Sequence, residues 1–272
     1  MTRRQLAPAT GVAGLLLTWL AGWWRVFYVG AQVLVLAVSP SSYTPAARWR
    51  LAQQMVQGTL PMLLGFTLLC ALATLVLTRI VVVTAQSYGL SQYALQVVIR
   101  VLVLELIPLS AALFVALRTT IAGSAVLTEL RLSGQFASRS QLLREEAMPR
   151  VVAGVFASIL LAALSCVVAL ILAYLAVYGF TLSAVPGYTR LFGQVFNPAV
   201  TLIFALKTLF FSLAIALMPV ASALHDRGAD RGVDAGTGQD LGLRHGAELR
   251  ALARMFGVIL LIEIVSLVGN YY

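Results

Sequence analysis

The sequence predicts an all-α integral membrane protein, with five transmembrane helices preceded by an N-terminal interfacial elbow helix, on three observations. First, 60% of its 272 residues are hydrophobic and only 11% are charged, too few charges to cover the surface of a soluble domain. Second, the apolar residues collect into runs of roughly 20 or more, long enough to cross a hydrocarbon core about 30 Å thick. Third, these runs are apolar nearly all round, whereas a helix of a soluble protein is apolar along one stripe.

The first apolar stretch, residues 11–38, is interrupted by Arg25, with Trp19, Trp23, Trp24, Phe27 and Tyr28 around it. Amphipathic aromatics beside a cation suit the headgroup layer, so this stretch reads as the helix lying in the interface. The rival is a further span, which would move the N-terminus outside. Arg3 and Arg4 resemble the start of a signal peptide, but no small-residue cleavage site ends the apolar run. Pro40, Ser41, Ser42 and Pro45 then break the chain. Spans are expected at about 58–83, 93–117, 151–179, 197–224 and 251–270. A polar segment, 118–150, and a Gly- and Asp-rich loop from His225 to about Gly246 interrupt them.

Arginine placement sets the orientation. Arg118, Arg131, Arg139, Arg144 and Arg150 lie in one segment, and Arg227, Arg231, Arg244, Arg250 and Arg254 in another. The intervening loop has only Arg190, and Gln86–Gln92 has no charge. The positive-inside rule puts both Arg-rich segments in the cytoplasm, with the N-terminus inside and Tyr271–Tyr272 outside. Arg48 and Arg50 agree. This distribution also accounts for the net charge of +9 without nucleic acid as a partner.

No phosphate-binding loop G-x-x-x-x-G-K-[ST], no H-E-x-x-H and no G-x-S-x-G is present. Two histidines without a nearby Cys make a poor metal site, so no catalytic residue and no metal is assigned. Cys70 and Cys166 fall in apolar segments and read as packing residues. Gly154, Ser158, Ala162 and Cys166 repeat every four residues and form a small-residue stripe for close helix approach. Charges inside spans are more telling, because an ion in hydrocarbon needs a partner. They are Arg100 and Glu105 in the second span, Lys207 in the fourth and Glu263 in the fifth. Arg100 and Glu105, five apart, share no α-helical face. Lys207 and Glu263, isolated on separate spans with opposite charge, are expected to pair.

Residues 105–154 resemble the permease family typified by MlaE, the membrane subunit of MCE-type lipid ABC transporters. Glu105-Leu106-Ile107-Pro108 matches the family's E-L-x-P, and Ala111-Ala112-Leu113, Arg118, Ala122-Gly123-Ser124-Ala125 and Glu129 follow in order. Pro149-Arg150 with Ala153 resembles P-R-x-x-A, and Lys207-Thr208 with Phe211 resembles K-S-x-x-F. Glu263 falls where the family has an acid in its last span. The resemblance runs over about residues 50–272. In departure from the family, Leu104 stands for an Arg, Ile107 and Leu117 each for a Gly, and Thr119-Thr120-Ile121 look inserted. The stretch from Glu129 to Pro149 is short and lacks the E-Q and D-P signatures.

The resemblance implies a helix and linker over 1–45 and a permease domain over 46–272. It implies a homodimer in the bacterial inner membrane that moves phospholipids or other hydrophobic molecules. It also implies partners: an ABC ATPase that binds the ATP and Mg, and an MCE-domain substrate-binding protein. The chain itself is then no enzyme and binds no cofactor. The ATPase contact is expected at a short helix around Gln135–Glu146, through Glu129, Phe136, Arg139, Leu143, Arg144 and Glu145, with Phe136, Leu142 and Leu143 as apolar anchors. The alternative is a secondary transporter or channel that uses the intramembrane charges directly.

Overall fold

The computed structural model describes residues 12–40, 43, 45–133, 138–225 and 240–271. Among them are helices and turns and no strand. Helix α1 is Val12–Val38 and α2 is Pro45–Ser87. Helix α3, residues 91–132, is one rod with π-helical stretches at Ile99–Leu106 and Ala116–Thr120. Helix α4, residues 139–178, has a π-helical turn at Leu143–Ala147. A short α5, Val185–Val195, joins it to α6, Pro198–His225, and α7 is Asp240–Tyr271.

Five helices, α2, α3, α4, α6 and α7, are long and apolar enough to cross a membrane. Helix α1 contributes a shorter apolar stretch, Phe27–Val38. The 43 residues of α2 reach about 65 Å at 1.5 Å per residue, twice the hydrocarbon thickness, so its Arg48 and Arg50 end projects beyond the span. The described residues of segment 118–150 are largely helical. Helix α3 continues through Leu132, and α4 starts at Arg139. The second polar segment is also shorter than expected, because α7 begins at Asp240.

Two glycines end helices by adopting positive φ, which a side chain resists. Gly89 (φ 72°) turns α2 into α3, and Gly179 (φ 65°) closes α4, donating its N–H to the Leu175 carbonyl. Helix α4 is central: it packs most extensively on α2 and also meets α3 and α6, while α7 packs on α6. Its small residues Gly154, Ser158, Ala162 and Cys166 are all buried, and the Cys166 thiol points at the Val103 carbonyl of α3 (3.7 Å). Val29 and Val33 bury one side of α1 in the main core, leaving Trp24, Phe27 and Tyr28 exposed. The side chain of Arg25 lies outside the described residues.

The outward faces of α2 (Leu60, Leu64, Leu68, Leu72) and α7 (Leu260, Leu261, Ile264, Val265) are apolar and exposed. In water such faces are a liability; in lipid they are the requirement.

Candidate functional site

Lys207 is nine residues from the start of α6 and Glu263 eight from the end of α7. At 1.5 Å per residue both lie about 12–14 Å from the α5 end of the bundle, inside the hydrocarbon depth. The antiparallel helices therefore bring them level, and Lys207 Nζ stands 2.8 Å from Glu263 Oε2. That contact is an ion pair without hydrogen-bond alignment, since Glu263 Oε2 has no hydrogen-bond partner by angle. The expected pairing is present.

The pair has a third member that isolation of charges on single spans did not predict. Lys207 Nζ donates to Glu105 Oε2 on α3 and to the Leu104 carbonyl at 3.4 Å. Asn270 Nδ2 donates to the other oxygen of Glu105 at 3.3 Å. The Phe211 ring, one turn along α6, lies 5.6 Å from the ammonium, within cation–π range. The sequence carries the signal for this arrangement in Glu105-x-x-Pro108. Proline has no N–H, so the α-helical partner of the Leu104 carbonyl is missing, and that carbonyl faces the lysine. One ammonium thus meets two carboxylates and one backbone carbonyl. Its side chain is 1% exposed, while Glu105 and Glu263 remain 12% and 16% exposed.

Arg100 does not join the cluster. The π-helical backbone hydrogen-bonds i to i+5, which brings residues five apart closer to one side than an α-helix would. Even so, Arg100 and Glu105 form no ion pair, and Arg100 Nε has no hydrogen-bond partner among the described residues.

At the opposite end, arginines tie the helices together. Arg150 of α4 donates to the Gly123 carbonyl of α3 (3.1 Å) and to Glu146 (2.8 Å). Arg131 of α3 donates to the Ala223 carbonyl of α6 (3.1 Å), one of the last carbonyls of that helix, which lack helical donors. Arg50 of α2 pairs with Glu145 at 3.6 Å. Pro149 is buried, as is Pro108, whereas Arg118 and Glu129 are exposed.

The expected coupling helix needs correction. Residues 139–147 are no separate helix; they begin α4. Leu142 and Leu143 are buried in the main core, because the continuous helix turns them inward, so neither serves as an exposed anchor. Glu145 is engaged by Arg50 and by Gln141. Phe136 and the side chain of Arg139 lie outside the described residues. Exposed charges at this end include Arg48, Arg118, Glu129 and Arg144 among the described residues.

The family described as Permease MlaE matches residues 51–241. The chain belongs to that family. The comparison with individually curated proteins gives no match. The MlaE match covers α2 to α6 and stops short of Glu263, which joins the site through geometry. Two departures from the family pattern acquire a physical account. The segment Thr119-Thr120-Ile121 coincides with the π-helical stretch Ala116–Thr120, where wider turns take up additional residues without breaking the rod. Leu104 and Ile107 are buried, so where the MlaE pattern has an arginine and a glycine this chain packs apolar side chains.

Proposed function

We infer that this multi-pass membrane protein is the permease subunit of a bacterial ABC transporter that moves phospholipids or other hydrophobic molecules in the inner membrane, with its N-terminus in the cytoplasm and its C-terminus in the periplasm. The carrying observation is the family match over residues 51–241 in a bundle whose one deeply buried lysine meets the E-L-x-P motif. A separate ATPase binds the ATP and Mg, since the 272 residues hold no phosphate-binding loop. An MCE-domain protein is the substrate-side partner. A second copy covers part of the exposed apolar surface, leaving a path walled by apolar residues. Glu105 and Glu263, partly exposed, supply the few polar fixings that such a path needs. The ATPase contact lies where Glu129 and Arg144 are exposed, and it is polar.

The secondary-transporter reading uses the same charges without ATP, and one experiment separates the two. The chain is isolated in mild detergent with its bound proteins, and the complex is reconstituted with fluorescent phospholipid. Expected are a co-purifying ATPase and an MCE-domain protein, and lipid movement that needs hydrolysable ATP. Lipid or ion movement by the chain alone, driven by a gradient, would overturn the proposal.

A further inference from the structure

Glu105, Lys207 and Glu263 meet at hydrocarbon depth as two acids and one base. Among the described residues, the charged groups that α3, α6 and α7 bring to this depth are these three and Arg100. Arg100 pairs with neither acid, and Asn270 is uncharged. Behind α3, the Cys166 thiol of α4 points at the Val103 carbonyl (3.7 Å). Toward the rim, the Tyr188 hydroxyl of α5 donates to the Leu170 carbonyl. None of these supplies a second cation, and Leu104 stands where the MlaE pattern has an arginine. With both acids ionised, the cluster would be one positive charge short.

An uncompensated charge at this depth is costly, and three features locate the hydrogen that removes it. The lysine side chain is 1% exposed and is shared between both carboxyls. Those carboxyls lie within hydrogen-bonding reach of one another. Carboxylates only accept, so that contact is favourable when one of the two carries a hydrogen. Finally, Glu263 Oε2 is buried and has no hydrogen-bond partner among the described residues. A hydrated cation cannot reach a buried atom, whereas a proton needs no room.

We propose that this cluster is a proton-binding site, which keeps one proton on the Glu105–Glu263 carboxyl pair at neutral pH. The protonated carboxyl donates its O–H to the other, which stays ionised against Lys207, and the cluster is neutral as a whole. The two side chains are 12% and 16% exposed, which leaves the proton an edge to enter and leave by. When α7 moves off α6 and water enters, the O–H bond breaks, water takes the proton and the carboxylate keeps the electron pair, because a hydrated carboxyl is ionised at neutral pH. The permease thus ties one proton to the opening of its charged core. The proton is held whichever energy source drives the chain, so this site and the transport reading fail separately.

The test is infrared spectroscopy on the full chain in ester-free detergent at pH 7, with carbon-13 glutamate incorporated to mark the glutamate bands. A protonated carboxyl has a C=O band that a carboxylate lacks. The wild type is expected to show that band at the strength of one carboxyl per chain. Glu263→Gln and Glu105→Gln each leave one carboxylate against one ammonium, a neutral pair that needs no proton. Each variant is therefore expected to keep its fold and to lose the band entirely. A purely structural ion cluster keeps both carboxyls ionised, so a wild type without the band would overturn the proposal. A band that survives in either folded variant would overturn it as well, since the proton would then not depend on the pair. Where one variant fails to fold, the other still assigns the band.

Discussion

Lys207 and Arg150 are both cations on long apolar helices, yet the lysine side chain is 1% exposed and the arginine 23%. Around Lys207 the partners come from three helices: Glu105 and the Leu104 carbonyl from α3, Glu263 from α7, and the lysine's own α6. Around Arg150 they are a backbone carbonyl and a carboxylate one turn back on the same helix. The buried end depends on charge matching, because neither water nor lipid can stand in for a lost partner. The exposed end depends on geometry, because water replaces a lost hydrogen bond there at low cost. Bundle closure is therefore set at one end and merely trimmed at the other.

The largest effect expected follows from that contrast. Lys207→Met leaves Glu105 and Glu263 facing one another without a cation and is expected to cost about 3–5 kcal/mol, read as a fall in the denaturation midpoint in detergent. Adding Glu105→Gln and Glu263→Gln to Lys207→Met is expected to restore most of the loss, since a neutral set needs no counter-charge. A loss under about 1 kcal/mol for Lys207→Met alone would put the site in the class of exposed pairs and dissolve the comparison. Assayed for lipid movement, the neutral triple variant sharpens it further: a stable but inactive protein assigns the charges to transport as well as to packing.

A smaller effect is expected at the other end. Arg150→Ala removes two charge-assisted hydrogen bonds, and with the side chain partly exposed the loss is about 1.5–3 kcal/mol. A loss equal to that of Lys207→Met would mean the two ends are equally buried in the assembled membrane protein.

Tyr188 of α5 tests the rim just outside the Lys207 end. Its hydroxyl donates to the Leu170 carbonyl of α4 at 2.9 Å, so Tyr188→Phe is expected to cost about 1 kcal/mol. Burial pushes the phenol up to about 12 from its ordinary 10. A raised folded value means that its stabilising share is complete below pH 10 and is lost as pH rises toward 12. Midpoints measured between pH 9 and 12 are expected to fall less steeply in Tyr188→Phe than in the wild type.

The smallest effect belongs to Arg50 and Glu145, with side chains 53% and 40% exposed. Arg50→Ala is expected to change stability by about 1 kcal/mol or less and to lose even that in high salt. A larger change would show that the start of α4 relies on α2 for its position.

The sequence by itself determined the class, the five spans and the isolation of Lys207 and Glu263, because a bilayer permits few solutions: backbone groups must be satisfied within each helix, and a lone ion needs a partner. Only the tertiary structure decided that Glu105 and Asn270 complete the cluster, that Arg100 stays apart, and that Leu142 and Leu143 face the core. Those outcomes depend on the rotation of each helix about its axis. Here that rotation is changed by π-helical stretches in α3 and at the start of α4, whose turns shift every later side chain relative to an α-helical count. A hydropathy pattern that reads the same all round a helix carries no information about that angle; packing against the neighbouring helices sets it.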